Sequence, residues 1–341
     1  MTARRPAAAV RLLPGRDKAA REGHPWVFSG AVGRRRELLS DPEGACRLVF
    51  SEADQLPGLV VDRYGDRLVL QVHTPGAERM RAATIARLRA LLSPAAVLDR
   101  SDGEQRGLEG LAAVVETEQL PAEDAGPVMI RDAGLRFQVS LAAGQKTGFY
   151  VDQRLNRAAV AAWASGRRVL DAFCYTGAFS VHAARAGAAS LTLLDSSREA
   201  LEAAVGHLSL NGFAAVPTEV RRGNAFAELR RLRDEGRSFD LVILDPPRLA
   251  PTRSQAQKAA RAYKDANLFA MKLLSPEGIL ATFSCSGGIE PAFFREIVRW
   301  AAKDAGREVQ VLQTLGQPFD HPALLNLPES EYLKGLICRV L

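Results

Sequence analysis

A thiol, a carboxylate and a stiff turn could do chemistry in this chain if folding brings them together. Cys285 lies in SCSGG, residues 284–288, between two serines and ahead of two glycines, at the end of the apolar run GILATFS. A partly ionised thiol is a strong nucleophile, and Gly287 and Gly288 clear space for a ligand beside it. The bland reading is a small buried hydrophobe. Asp245 ends the apolar run FDLVIL, and Pro246 and Pro247 behind it stiffen the turn. A carboxylate held that way can accept a hydrogen bond from a planar base edge or share its proton; otherwise the feature is only an Asp-Pro turn.

A second constellation is DAFCYTGAFS, residues 171–180. Asp171 closes an apolar run, and Gly177 lets the backbone approach a ligand where a helix begins, whose free N–H groups suit a carboxylate or phosphate. Asp195 ends the next run, SLTLLD, 24 residues after Asp171. An acidic residue about 20 residues on meets ribose hydroxyls in nucleotide-binding sheets, so the spacing indicates an adenosine-type ligand. One glycine stands where a dinucleotide fingerprint needs three, which favours S-adenosylmethionine over NAD. Strand-end acids acting as helix caps are the structural alternative.

These residues need a frame that gathers strand ends. From about residue 167, RRVLDAF, SLTLLD, TEVRRG, FDLVILD, GILATFSCS, REVQVLQTL and LKGLICRVL are apolar and β-rich, and helical segments separate the first six. Such alternation predicts a doubly wound, mostly parallel α/β sheet, a Rossmann-like fold whose ligands collect at the carboxyl ends of its strands. The fourth and fifth strands are commonly neighbours, so Asp245 and Cys285 are expected at one cavity. Ahead of it, RLVF and PGLVVDRYGDRLVLQVH read as strands with a hairpin, RMRAATIARLRALL as a helix and AAVLDRSD as a further strand. The organisation expected is a basic segment 1–40, a small α+β domain 41–125 joined through LPAEDAGPV, and a catalytic domain 126–341.

The 341 residues are 47% hydrophobic and 25% charged, as in a soluble globular protein. No secretion signal or membrane span is read, and the expected location is cytoplasmic with no membrane partner. The four cysteines, Cys46, Cys174, Cys285 and Cys338, form no C-x-x-C pair and have no histidine at ligand spacing, so no metal is expected. Net charge is +6, and residues 1–40 hold nine Lys/Arg against three Asp/Glu, the whole excess. That excess suits a phosphate backbone or a solvated leader.

A cytosine ring is inert at C5 until a nucleophile adds at C6. A thiolate at C6, with Asp245 relieving charge at N3, makes C5 carbanion-like and able to take a methyl group from a sulfonium; a base must then remove the C5 proton. With HPWVFSGAV, LPGLVVDRYGD, RSD at 100–102, GQKTGFYVDQRLNR, DAFCYTGAFS, LDPP, RAYKDAN, FSCSG, DHPALLNLPE and YLKGLICRV, the sequence resembles the RlmI-like S-adenosylmethionine-dependent cytosine-C5 methyltransferases of bacterial large-subunit ribosomal RNA. The resemblance implies a methyltransferase sheet behind a small α+β domain and a truncated PUA-like segment. It implies Cys285 as nucleophile and Asp245 as the acid beside the base and the cofactor. Gln145, Lys146, Thr147, Phe149 and Arg154 would line the cofactor entrance, Phe173, Tyr175, Thr176 and Gly177 hold the methionine part, Asp195 and Ser196 the ribose, and Asn224 and Ala225 the adenine.

Two departures stand out. Asn224 replaces the usual aspartate, and the insert that completes a PUA barrel, an RNA-binding fold, is short between SGAVGRRRELLS and RLVFSEADQLPG. The expected partner is large-subunit ribosomal RNA, with a homodimer left open. Two rivals stay open: methylation of another base atom such as a guanine nitrogen, and a non-catalytic RNA-binding assembly factor. In enzymes that methylate exocyclic amines an aromatic residue normally follows LDPP, and Arg248 there weakens that alternative; the presence of both Asp245 and Cys285 speaks against the first rival, and the complete cofactor set against the second.

Overall fold

Five short β-rich runs build the first sheet of the computed structural model, which describes residues 39–101, 103–117, 126–141, 147–250 and 253–341. They are β1 (Ala45–Phe50), β2 (Leu59–Tyr64), β3 (Arg67–Val72), β4 (Ala96–Ser101) and β5 (Val114–Thr117), adjacent in that order. β2 and β3 form the expected hairpin, closed by Gly65-Asp66 with Gly65 at a φ of 60° that two-residue loops require. β3 and β4 are parallel, which demands a crossover. It is made by α1 (Pro75–Arg79), capped by Thr74, and α2 (Arg81–Leu92), whose Leu88 is buried with Leu48, Val61 and Leu70. α3 (Gly103–Leu108) links β4 to β5.

β6 (Val128–Asp132) and β7 (Leu135–Val139) form a separate hairpin that periodicity within LPAEDAGPV and its sequel did not suggest. Its inward residues Ile130 and Phe137 join one continuous core with Tyr64 and Leu98 of the first sheet and with Val169 and Leu193 of the catalytic sheet. Asp132 fastens it: its Oδ2 accepts Arg157 Nε at 2.7 Å and lies 3.2 Å from His182 Nε2, all three being buried. Burial alone would raise this carboxyl, but the Arg157 guanidinium and the His182 contact overcome it and hold the group down at about 2. Asp132→Ala leaves Arg157 charged and buried, so it should cost about 3 kcal/mol or more in a urea melt. A folded pKa below the unfolded one adds stability above the unfolded value that is lost as pH falls towards 2, so the mutant's deficit should shrink through that window.

The third unit is preceded by α4 (Arg154–Ala161). Its strands are β8 (Arg168–Ala172), β9 (Ser190–Asp195), β10 (Thr218–Arg222), β11 (Phe239–Leu244), β12 (Leu274–Ser284), β13 (Val309–Gly316) and β14 (Lys334–Val340). All seven fall on the apolar runs read from sequence. Their order is β10-β9-β8-β11-β12-β14-β13, with the first five mutually parallel and β14 antiparallel to both neighbours. The helices are α5 (Ala178–Arg185), α6 (Arg198–Leu210), α7 (Ala225–Asp234), α8 (Ala256–Leu273) and α9 (Pro291–Ala305). They pack two apolar layers on opposite faces, as the doubly wound reading requires. Strand order reverses between β8 and β11, and a crevice opens at the carboxyl ends on either side of such a point. Among the described residues no helix is long and apolar enough to cross a membrane.

Candidate active site

The loop after β8 is shaped by unusual backbone. Phe173 and Tyr175 both adopt left-handed conformations, at φ 63° and 48°, which are costly for residues with a side chain. Asp195, ending β9 alongside, helps hold them: its Oδ2 accepts Tyr175 N–H at 2.9 Å and its Oδ1 accepts Ser197 N–H at 3.0 Å. Two further carboxylate lone pairs remain for hydroxyl donors. Gly177 starts α5 at φ 74°, and a Cβ there would meet Ala204 Cβ at 2.7 Å. The close approach expected at this glycine is therefore to α6, and it seats α5 against α6.

Around this loop the chemistry suits S-adenosylmethionine. Phe173 and Phe226 stand edge to face, 5.3 Å apart, at the cleft wall next to Asn224 and Ala225. Asn224 caps α7, its side-chain oxygen accepting Ala227 N–H at 3.3 Å, so the amide is partly committed to the helix. Below the loop, Asp171 is buried; Ser180 Oγ donates to its Oδ2 at 2.6 Å, while Oδ1 has no hydrogen-bond partner among the described residues. Burial pushes this carboxyl up to about 7. A cationic group arriving above it would offset that cost, as the ammonium of a methionine moiety can.

The same cleft, about 1120 Å³, continues past Asp245, Pro246, Pro247 and Arg248 to Cys285, then out to Arg47, Phe50 and His73 of the small sheet. β11 and β12 are parallel neighbours, with Leu244 beside Thr282, so the turns carrying Asp245 and Cys285 leave one edge together. Gln153 Nε2 donates to Asp245 Oδ2 at 3.0 Å, and Asn156 Nδ2 donates to Gln153 Oε1 at 2.6 Å, which fixes the amide's orientation towards the carboxylate. The two serines around the thiol are anchors. Both are fully buried; Ser286 Oγ accepts Ala250 N–H at 3.0 Å and lies 2.9 Å from Tyr263 Oη, and Ser284 Oγ accepts Ser286 N–H at 3.3 Å. Cys285 between them is only half-buried at the cleft wall; Cys174 also borders the cleft but is buried, as are Cys46 and Cys338, and burial pushes these three thiols up.

Most of the residues singled out in the sequence line this one cleft: Phe149, Phe173, Tyr175, Thr176, Asp195, Ser196, Asn224, Ala225, Asp245 and Cys285. Thr147, Arg154 and Gly177 do not. Thr147 Oγ1 donates to Asp62 Oδ2 at 2.6 Å, and Arg154 donates to Ala45 O at 2.8 Å and pairs with Asp320 at 2.9 Å. Both are drawn to the seam with the small sheet, because buried carboxylates wait there for donors. Gln145 and Lys146 lie outside the described residues, as do residues 1–38. Gln153 was not singled out, although it sits inside GQKTGFYVDQR; only its three-dimensional partner distinguishes it from the polar residues around it.

A family model described as S-adenosylmethionine-dependent methyltransferase matches residues 59–337. The chain belongs to that family. Its methyl donor is S-adenosylmethionine, and the NAD alternative falls. A PUA-like domain model matches residues 10–59 of this methyltransferase, mostly outside the described residues. The methyltransferase is similar to the ribosomal RNA large subunit methyltransferase I of Shewanella denitrificans, at 45% identity over 398 positions covering 98% of this chain and 100% of the relative. It is likewise similar to the protein of the same name from Erwinia tasmaniensis, at 43% identity over 397 positions covering 97% of this chain and all of the relative. The 398 aligned positions exceed the 341 residues of the chain by 57, so the first relative carries segments with no counterpart here. Among solved structures, SMU.776 complexed with SAH superposes with a TM-score of 0.80 at 21% identity, covering 93% of this chain and 80% of that one. The M. jannaschii tRNA m1G37 methyltransferase gives 0.57 at 18% identity, over 84% and 77%. At such identities these two establish the fold alone.

Proposed function

We propose that this methyltransferase transfers a methyl group to C5 of a cytosine in large-subunit ribosomal RNA, through a covalent bond between Cys285 and the base. The observation that carries the reading is the meeting of Cys285 and Asp245 in one cleft, continuous with the cofactor loop. The substrate class follows the names of relatives up to 45% identical over nearly the whole chain. The cytosine must leave its stack to enter the cleft, since its ring faces are covered in a helix. Cys285 attacks C6, forming an S–C6 bond, while Asp245 in its acid form, oriented through Gln153 and Asn156, gives its proton to N3 and takes it back when the ring is restored. S-adenosylmethionine, held by the loop after β8, would offer C5 an electrophilic methyl carbon, with S-adenosylhomocysteine as the leaving group. Loss of the C5 proton to a base then expels the Cys285 thiolate and restores the ring.

The cofactor roles proposed for Phe173, Tyr175, Thr176, Asp195, Ser196, Asn224 and Ala225 draw on their common wall. The division at residues 40 and 125 is proposed as a division of labour: a basic segment that grips phosphates, a small sheet that extends the cleft, and a catalytic unit. The covalent step can be trapped directly. RNA carrying 5-fluorocytidine should leave wild-type protein in a denaturation-stable RNA adduct mapping to Cys285, because fluorine at C5 cannot depart as a proton does. A stable adduct at any other residue, or none with RNA that is otherwise methylated, overturns the reading.

A further inference from the structure

YLKGLICRV contains a lysine that the roles above leave unused. Lys334 opens β14 and is paired in register with Ser284 on β12, one residue from the thiol. Its side chain is buried, at 5% exposure, and its Nζ donates to the carbonyl of Ser286 at 2.8 Å. The side chain thus runs from β14 to the loop that carries Cys285. Among the described residues that carbonyl is its one hydrogen-bond acceptor, and no carboxylate forms an ion pair with it. A buried ammonium so placed carries charge that a single neutral carbonyl does not balance.

We propose that Lys334 is a positioning residue for the reaction, its ammonium serving as the counter-charge that lets Cys285 ionise within the cleft. The proposal rests on Cys285 being the nucleophile. Burial draws the Lys334 amine down to about 8, and the nearby Cys285 and Glu331 oppose that shift while Arg248 adds to it. The other titratable groups around the thiol are Tyr150, Tyr263 and Tyr332, each raised chiefly by burial and further by Cys285, with Asp152 and Asp245 beyond them. The two carboxylates and Glu331 oppose a thiolate. Lys334 is held by the Ser286 carbonyl of the thiol's own loop, and Arg248, from the turn after β11, reaches the same loop, its Nη2 3.4 Å from where a Cβ on Gly287 would stand, so the comparison of Lys334 variants reads the lysine's share against a fixed Arg248. The bond balance is simple: the thiol loses its proton to solvent, and the ammonium keeps its own.

The test is the pH dependence of Cys285 alkylation by iodoacetamide in the full chain, followed by peptide mass analysis with the buried Cys46, Cys174 and Cys338 as internal references. A neighbouring opposite charge lowers a pKa by about one unit or more. The wild-type midpoint should therefore lie below the ordinary thiol value of about 8.5. Lys334→Met should raise it and slow alkylation at pH 7 about tenfold, and Lys334→Arg should restore most of the rate. If Lys334→Met does not fold, Lys334→Gln keeps a donor for the Ser286 carbonyl without the charge and carries the same comparison. A wild-type midpoint at or above about 8.5, or one unchanged in the neutral variant, overturns the proposal. Alkylation reads ionisation and not turnover, so failure of the nucleophile itself shows separately, as an active Cys285→Ala enzyme.

Discussion

Cys285→Ala is expected to lose methyl transfer almost entirely, with turnover down about 10⁴-fold or more, since removing a covalent nucleophile leaves only positioning and binding behind. The fold should survive. The loop is held by Ser284 and Ser286, both fully buried and both hydrogen-bonded, and the thiol itself faces the cleft. Cofactor affinity should be unchanged, because Phe173, Tyr175 and Asp195 belong to other strand ends. The check is single-turnover methyl transfer beside calorimetric binding of S-adenosylhomocysteine. A variant that binds normally and still transfers methyl at the wild-type rate would make the thiol a filler of the loop.

Asp195→Ala should weaken cofactor binding about 100-fold, in line with the loss of about 1.5–3 kcal/mol for a hydrogen bond to a charged group and of the loop's support. This residue has two jobs. Its oxygens accept the Tyr175 and Ser197 N–H groups, and the same carboxylate faces the cleft wall assigned to ribose. Removing it leaves Tyr175 in its left-handed conformation, φ 48°, without the acceptor that holds it. Asp195→Asn, which keeps one acceptor oxygen, should fall between wild type and alanine. Unchanged affinity in Asp195→Ala, measured by the same calorimetry, would discredit the ribose assignment.

The sheet was legible because its signal is local. Each of the seven runs from RRVLDAF to LKGLICRVL carries its own apolar pattern, and the helical segments between the first six dictate strands of one direction, while β14, with no such helix before it, runs antiparallel to both neighbours. The meeting of Asp245 with Cys285 followed from a rule about neighbouring strands, and β11 and β12 obey it. What stayed hidden depends on partners far away in the chain. Gln153 and Asp245 are 92 residues apart, and Tyr64 and Thr147 are 83 apart. Nothing in GQKTGFYVDQR distinguishes Gln153, which turns to the Asp245 carboxylate, from Thr147, which turns to the small sheet. Gly177 was read as a place where the backbone approaches a ligand, whereas what a side chain there would meet is Ala204 of α6, and sequence contains no sign of that neighbour. The hairpin of β6 and β7 escaped notice because its strands are five residues each and follow a Pro- and Gly-rich connection.

The central claim is that this methyltransferase modifies carbon 5 of cytosine in large ribosomal RNA. The most direct measurement is nucleoside mass analysis of ribosomal RNA from cells lacking the protein, after incubation with the purified enzyme and labelled S-adenosylmethionine. Label is expected in 5-methylcytidine, at a position in the large-subunit RNA. Label in a methylated guanosine, or in any nucleoside other than 5-methylcytidine, would contradict it.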